Sequence, residues 1–358
     1  MDNTIWFPKL GNLHFTIDGV AFSVFGLNVY WYGVIIATGF LLAVILGMRS
    51  SKKFGIDPDS IVDLILIAAP ISIITSRLYY VIFSLGEPGN PYINNPVEIF
   101  KIWNGGLAIY GAVIGALGTA YIFARVRKIS ALNLFDFGTP YLILAQAIGR
   151  WGNFVNQEAF GTNTDLPWGM TSEKIKNYLS GIKASNPGIN PDLPVHPTFL
   201  YESLWNFGIF FFLIWYRKKK KKIDGEVFFL YMILYGAGRF FIEGIRTDSL
   251  MLGALRISQL LALLFVVAFL IAFYIRRRHA TRLAEEGAAC EPSRYREVLE
   301  KLKEESVTEE SGSASEENED NDESRTGERP DDDMVPEDNG GSGDGENGAV
   351  KDEELSNR

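Results

Sequence analysis

Seven apolar stretches, each close to membrane-crossing length, recur between Val29 and Ile275 and leave this chain few ways to fold. A lipid core asks for about 20 apolar residues of helix, with ~17 as the lower limit. Inside it every backbone N–H and C=O must be satisfied, which only helices and closed barrels achieve. The stretches are Val29–Met48, Ile61–Phe83, Gly106–Ala124, Leu132–Ile148, Thr198–Tyr216, Val227–Ile242 and Ile257–Ile275. The expected fold class is therefore all-α: a polytopic membrane protein with about seven transmembrane helices and a polar cavity facing outward.

Charge orients these spans. Arg49, Lys52 and Lys53 follow the first; Arg125, Arg127 and Lys128 the third; Arg217 and Lys218 to Lys222 the fifth; Arg276, Arg277 and Arg278 the seventh. Basic residues collect on the cytoplasmic side, which places the amino terminus outside and the carboxyl terminus in the cytoplasm. Trp6, Trp31, Trp103, Trp151 and Trp205 then fall near the outer interface, as an aromatic belt does. The expected organisation is an outer segment 1–28, a membrane domain 29–279 with an outer cap loop 150–197, a cytoplasmic helical or linker segment 280–302, and a tail 303–358. The net charge of -9 hides two unlike parts: the tail holds 21 acidic and 5 basic residues, and the rest of the chain is net +7. So acidic and apolar-poor a tail cannot offset the entropy of ordering, and disorder is expected there. The single cysteine, Cys290, excludes an internal disulfide framework and reads as an incidental thiol among charged residues. The first residues are only weakly apolar, so no cleavable signal is expected.

Polar groups recur where lipid should be. Gly149-Arg-Trp-Gly-Asn-Phe-Val-Asn-Gln-Glu-Ala-Phe-Gly161 packs a cation, two Asn and a carboxylate among three glycines at the outer end of a span. Either the glycines end a helix and Arg150 snorkels, or the arginine fork serves a phosphate or carboxylate ligand. Arg239, Glu243 and Arg246 are spaced to share one helix face. They read as an internal ion pair, or as a cationic pocket in which two arginines outnumber one glutamate. His196-Pro-Thr-Phe-Leu-Tyr-Glu202 opens the fifth span. Its histidine and glutamate satisfy a helix start, or the histidine takes a proton near neutral pH. Asp63 and Asp136 lie nearer the inner side and read as helix-end or packing groups.

The chain has no Gly-x-Ser-x-Gly elbow, no metal-ligand spacing and no Gly-x-x-x-x-Gly-Lys loop. Direct group transfer between two bound substrates suits it better than a covalent enzyme intermediate. A transporter or flippase, or a lipid-binding scaffold without turnover, are the rival classes.

The Gly149–Gly161 motif resembles the signature of bacterial prolipoprotein diacylglyceryl transferases. Four further blocks are similar to that family in the same order: Tyr30-Trp-Tyr-Gly33, Trp103-Asn-Gly-Gly106, His196–Glu202 and Tyr235-Gly-Ala-Gly-Arg-Phe-Phe-Ile-Glu-Gly-Ile-Arg246. The resemblance implies transfer of the diacylglyceryl group of phosphatidylglycerol onto the lipobox cysteine of a preprolipoprotein. A thioether forms and glycerol phosphate leaves, the first step of lipoprotein maturation. It implies the bacterial cytoplasmic (inner) membrane, with membrane lipids and the lipobox preprolipoprotein as partners and no cofactor, metal or nucleic acid. By matching position it implies Arg150, Arg239, Tyr32, Tyr110, His196 and Tyr235 as catalytic candidates. Asn153, Asn156, Glu158, Gly161, Glu243 and Arg246 join the two arginines as phosphatidylglycerol-binding candidates. One departure stands out: many family members carry histidine at the position of Tyr110, and a phenol is the weaker base, with an ordinary pKa of about 10. Electrostatic activation by Arg239 is then expected to carry more of the chemistry than any single base.

Overall fold

The computed structural model describes residues 3–86, 90–184, 186–247, 251–252, 255–286, 295–302 and 304. The chain divides into two units, Met1–Lys303 and Glu304–Arg358, and the hairpins and the helix bundle belong to the first. The expectations for Cys290 and, Glu304 apart, for the acidic tail 303–358 lie outside the described residues.

Two antiparallel hairpins come first, β1 (Thr4–Phe7) with β2 (Leu13–Thr16) and β3 (Val20–Val24) with β4 (Leu27–Tyr30). Helices follow: α1 (Trp31–Ser51), α2 (Pro58–Ser84), a single turn α3 (Pro91–Asn94), α4 (Ile109–Val126), α5 (Ala131–Val155), α6 (Glu173–Ile182), α7 (Thr198–Lys219), α8 (Glu226–Glu243) and α9 (Ile257–Glu285). The long ones stand where the seven apolar stretches predict them. Five, α1, α2, α4, α7 and α9, are long and apolar enough to cross a membrane. The two that fall short are α5, which carries Asp136, Gln146 and Arg150, and α8, which carries Glu226, Arg239 and Glu243. Both are interior: α5 packs against α1, α7 and α8, and α8 against α9. A helix surrounded by helices can present polar groups to its neighbours.

The glycines after Ile148 do not end the helix: α5 continues through Gly149 and Gly152 to Val155. Helix propensity is poor there, and packing overrides it, with the Tyr32 ring lying where a side chain at Gly152 would stand.

At that end of the bundle a cap with its own apolar core is assembled from distant segments. Ile5 and Phe7 of β1, Ile175 and Leu179 of α6, and Phe199 of α7 are buried together with Phe160, Met170 and Val195 of the connecting segments. Trp6 and Thr171 exchange backbone hydrogen bonds of 2.8 and 2.9 Å, so the amino-terminal hairpin belongs to this cap. The amphipathic α6, capped by the Ser172 hydroxyl accepting from Ile175 N–H at 3.2 Å, is an element the polar sequence of the loop does not announce.

The opposite end is locked by buried charge. Asp136 of α5 accepts from Gly225 N–H and Phe228 N–H, both at 2.8 Å, and so caps the start of α8. It also meets Lys221 at 2.8 Å, and Lys221 meets Asp224 at 3.0 Å. Within the basic run 218–222 that follows the fifth span, Lys221 is fully buried, with Phe54 and Tyr295 rings 5.5 and 5.7 Å from its Nζ. Asp136 is thus the helix-end group its position in the sequence predicts.

Candidate active site

Three sequence blocks meet because α5, α7 and α8 pack on one another. The Gly149–Gly161 motif ends α5, His196–Glu202 begins α7, and Arg239–Arg246 ends α8. Their charged side chains converge on one carboxylate. Glu202, 3% exposed, forms an ion pair with Arg150, Nη2 to Oε2 at 2.7 Å, and accepts from Arg239 Nη1 on Oε1 at 3.0 Å. Arg246 Nη1 approaches the same Oε1 at 3.4 Å. The second nitrogen of the Arg239 fork donates to Glu243 Oε2 at 2.6 Å. Among the described residues three guanidiniums therefore share two carboxylates. The ion pair Arg239–Glu243 that the sequence offers as one alternative is present.

Immediately past α5 the chain makes a tight knot. Asn153 Nδ2 donates to Glu158 Oε1 at 2.9 Å and Asn156 Nδ2 to the same oxygen at 3.3 Å. Gln157 and Ala159 adopt left-handed backbone, φ 53° and 56°, which the knot must hold against their side chains. The strand-like segment that follows is sewn to both other blocks. Gly161 N–H donates to the His196 carbonyl at 2.9 Å, His196 N–H to Thr162 O at 3.0 Å, and Thr162 N–H to Ile245 O at 2.8 Å. A Cβ at Gly161 would fall 2.8 Å from His196 Cβ and 3.0 Å from the Ile245 carbonyl, so only glycine allows this approach.

His196 lies just before α7, its Nδ1 3.1 Å from the Tyr201 hydroxyl. Burial holds its pKa below the ordinary 6.5, so the ring is neutral and able to accept a proton at neutral pH. Tyr235, one turn before Arg239, stacks on Tyr231 with centroids 5.6 Å apart, and Tyr231 is held by Gln146 of α5 at 3.1 Å. Tyr32, near the start of α1, packs on α5 at Gly152. Tyr110 stands apart from these. It begins α4, which pairs with α2, and its ring neighbours Tyr79 at 6.3 Å. The structure brings Arg150, Arg239, Glu243 and Arg246 into one cluster and straps Gly161 and His196 to it. Asn153, Asn156 and Glu158 form the adjoining knot, and Tyr110 lies on the separate α2–α4 pair. Among the described residues no three His, Cys, Asp or Glu side chains are arranged as metal ligands.

The sequence that supplies these blocks is matched in known proteins. The sequence model of the prolipoprotein diacylglyceryl transferase family covers residues 19–275. The chain belongs to that family. A phosphatidylglycerol–prolipoprotein diacylglyceryl transferase of Clostridioides difficile (strain 630) is 41% identical over 271 residues, 75% of this chain and 100% of the relative. One from Listeria welshimeri is 48% identical over 262 residues, 72% of this chain and 89% of the relative. One from Bacillus cereus (strain 03BB102) is 46% identical over 266 residues, 73% and 93%.

In this family member Glu202 is the residue that sequence reasoning missed, because an acid in a helix's first turns reads as a cap. The available signal was charge: three arginines with one glutamate, Glu243, require a second anion at the same depth. Arg150 stands on α5, Arg239 on α8 and Arg246 just past the end of α8, with His196 at their edge.

Proposed function

We propose that this chain transfers the diacylglyceryl group of phosphatidylglycerol to the thiol of a lipobox cysteine in a preprolipoprotein. The sulfur bonds to the glycerol carbon, the carbon–oxygen bond to phosphate breaks, and glycerol phosphate departs with its charge. The thiol proton passes to a base or to solvent. The observation that carries this reading is the convergence of Arg150, Arg239 and Arg246 on Glu202. A phosphate entering that cluster meets donors already aimed, at no reorganisation cost in the reacting complex.

In this reading Arg150 and Arg239 grip the headgroup and the departing phosphate, with Glu202 and Glu243 setting the orientation of their forks. Arg246 adds charge from the end of α8. The Asn153–Asn156–Glu158 knot and Gly161 shape the adjoining wall, and Tyr32 and Tyr235 bound the site. A thiol of ordinary pKa about 8.5 is activated by the positive field, with His196 or solvent receiving the proton and the Tyr110 phenol hydrogen-bonding the substrates. Because the attacking sulfur belongs to the substrate, the enzyme needs no nucleophile of its own. The basic junctions orient the seven spans with this site at the outer face of the bacterial cytoplasmic membrane, where secreted preprolipoproteins emerge.

The test is purified protein in phosphatidylglycerol vesicles with a lipobox peptide and its cysteine-to-serine control, read by mass spectrometry. A thioether-linked diacylglyceryl adduct with released glycerol phosphate, absent from the control and from Arg239→Ala, is expected. No adduct from folded protein with both substrates present would move the assignment to a transporter or lipid-binding scaffold.

A further inference from the structure

Arg77 is 5% exposed near the end of α2, and its guanidinium is met by backbone carbonyls of a single loop. Nε donates to Ile99 O at 2.9 Å. Nη1 donates to Gly105 O at 2.7 Å and Gly106 O at 2.9 Å, and Nη2 to Glu98 O at 2.6 Å and Lys101 O at 3.5 Å. Tyr92 covers the guanidinium with its ring centroid 5.1 Å away. Five N–H donors in a fixed fork match five acceptors, which no other side chain supplies.

The loop is shaped to this cation. Gly105 and Gly106 have φ of 85° and 73°, backbone that turns both carbonyls inward. A Cβ at Gly106 would collide with Arg77 Nη1 and come within 2.9 Å of the Tyr80 ring. The two glycines of the Trp103–Gly106 block are thus there to close the chain on Arg77. Directly after them, Ala108 N–H donates to Ser76 O at 3.2 Å and the Ser76 hydroxyl to Ala108 O at 2.8 Å, which fixes the first turn of α4. Tyr110 lies in that turn. The next residue, Gly111, is pressed on the Thr75 carbonyl and Tyr79, so α4 has no freedom to slide along α2.

We propose that Arg77 is a positioning residue of the transfer reaction: it folds the 98–106 loop around its guanidinium and thereby sets the Tyr110 hydroxyl against the substrates. This rests on the reading that places Tyr110 in the site. Lysine keeps the charge but offers a point donor, so Arg77→Lys lets the loop open. Gly106→Ala disturbs the same contact from the other side without removing the cation.

The experiment measures transfer to a lipobox peptide, with KM for phosphatidylglycerol separated from kcat, for Arg77→Lys, Gly106→Ala, Tyr110→Phe and the doubles of each of the first two with Tyr110→Phe. Thermal unfolding in detergent confirms which variants are folded, and Trp103 emission reports the loop. Each loop variant is expected to lower kcat on the order of tenfold or more, as a misplacement approaching 1 Å does, with KM changed far less. In the Tyr110→Phe background the same change is expected to cost under about twofold, since coupled sites are not additive. Should Arg77→Lys and Gly106→Ala fold and cost the same factor with or without the Tyr110 hydroxyl, Arg77 is structural only and the proposal is overturned. A Tyr110→Phe enzyme at full rate would instead remove Tyr110 from the reaction, and the role given to Arg77 with it.

Discussion

Arg150 of α5 and Glu202 of α7 meet at 2.7 Å, tying the end of one interior helix to the start of another at the centre of the cationic cluster. The carboxylate is nearly inaccessible while the arginine keeps 21% of its side chain exposed. An anion approaching from solvent therefore finds guanidinium, with the acid behind it. Glu202 aligns the three cations and lowers their mutual repulsion without occupying the open side.

Removing that charge should be costly twice over. Glu202→Gln leaves three guanidiniums with one carboxylate, and breaking a buried pair costs about 3 kcal/mol at the low end of such cases. A lowered unfolding midpoint and a fall in kcat/KM of tenfold or more are expected, the latter on the order of 1.4 kcal/mol of transition-state stabilisation. An unchanged midpoint would mean the arginines hold their places without Glu202.

Arg239 spans two acids with two different nitrogens, Glu202 at 3.0 Å and Glu243 at 2.6 Å. Lysine has one centre and cannot reproduce that fork. Arg239→Ala is expected to abolish transfer and Arg239→Lys to retain a few per cent or less, about the hundredfold loss of a single oxyanion donor. Peptide turnover by mass spectrometry decides it; a lysine variant near full rate would sink the claim that fork geometry matters.

Lys221 is fully buried between Asp136 and Asp224, at the end of α7 remote from the arginine cluster. Lys221→Met should cost stability, about 3–5 kcal/mol from the uncompensated Asp136. The kcat of the protein that remains folded should not change. Thermal unfolding alongside single-concentration turnover separates the two effects.

His196 gives the pH dependence a sign. Its folded pKa lies below the ordinary 6.5, so the unfolded chain binds the proton more readily. The contribution is fully present above about pH 6.5 and is lost as the pH falls through that value toward the lowered folded pKa. Unfolding midpoints recorded from about pH 5 to 8 should drop on the acid side, and less so in His196→Gln. An identical acid-side drop in both proteins would assign it elsewhere.

Gly161 has no room for a methyl between His196, Thr198 and the Ile245 carbonyl. Gly161→Ala is expected to part the α5 motif from the α8 end and lower transfer on the order of tenfold, with the bundle intact by circular dichroism.

The sequence by itself determined that α1, α2, α4, α7 and α9 are long and apolar enough to cross a membrane, because length and apolarity act locally. It also determined the motif blocks, since a run of specific residues is legible without coordinates. Tertiary structure decided what those residues do to one another. That Glu202 is the shared counter-ion, that Lys221 is paired with Asp136 and that Arg77 is solvated by a loop depend on contacts across 21 to 85 positions of chain. The α5 helix runs through two glycines because Tyr32 and its neighbouring helices fill their surroundings, an effect propensity cannot register. Local pattern sees charge and period; only packing says which buried charge answers which.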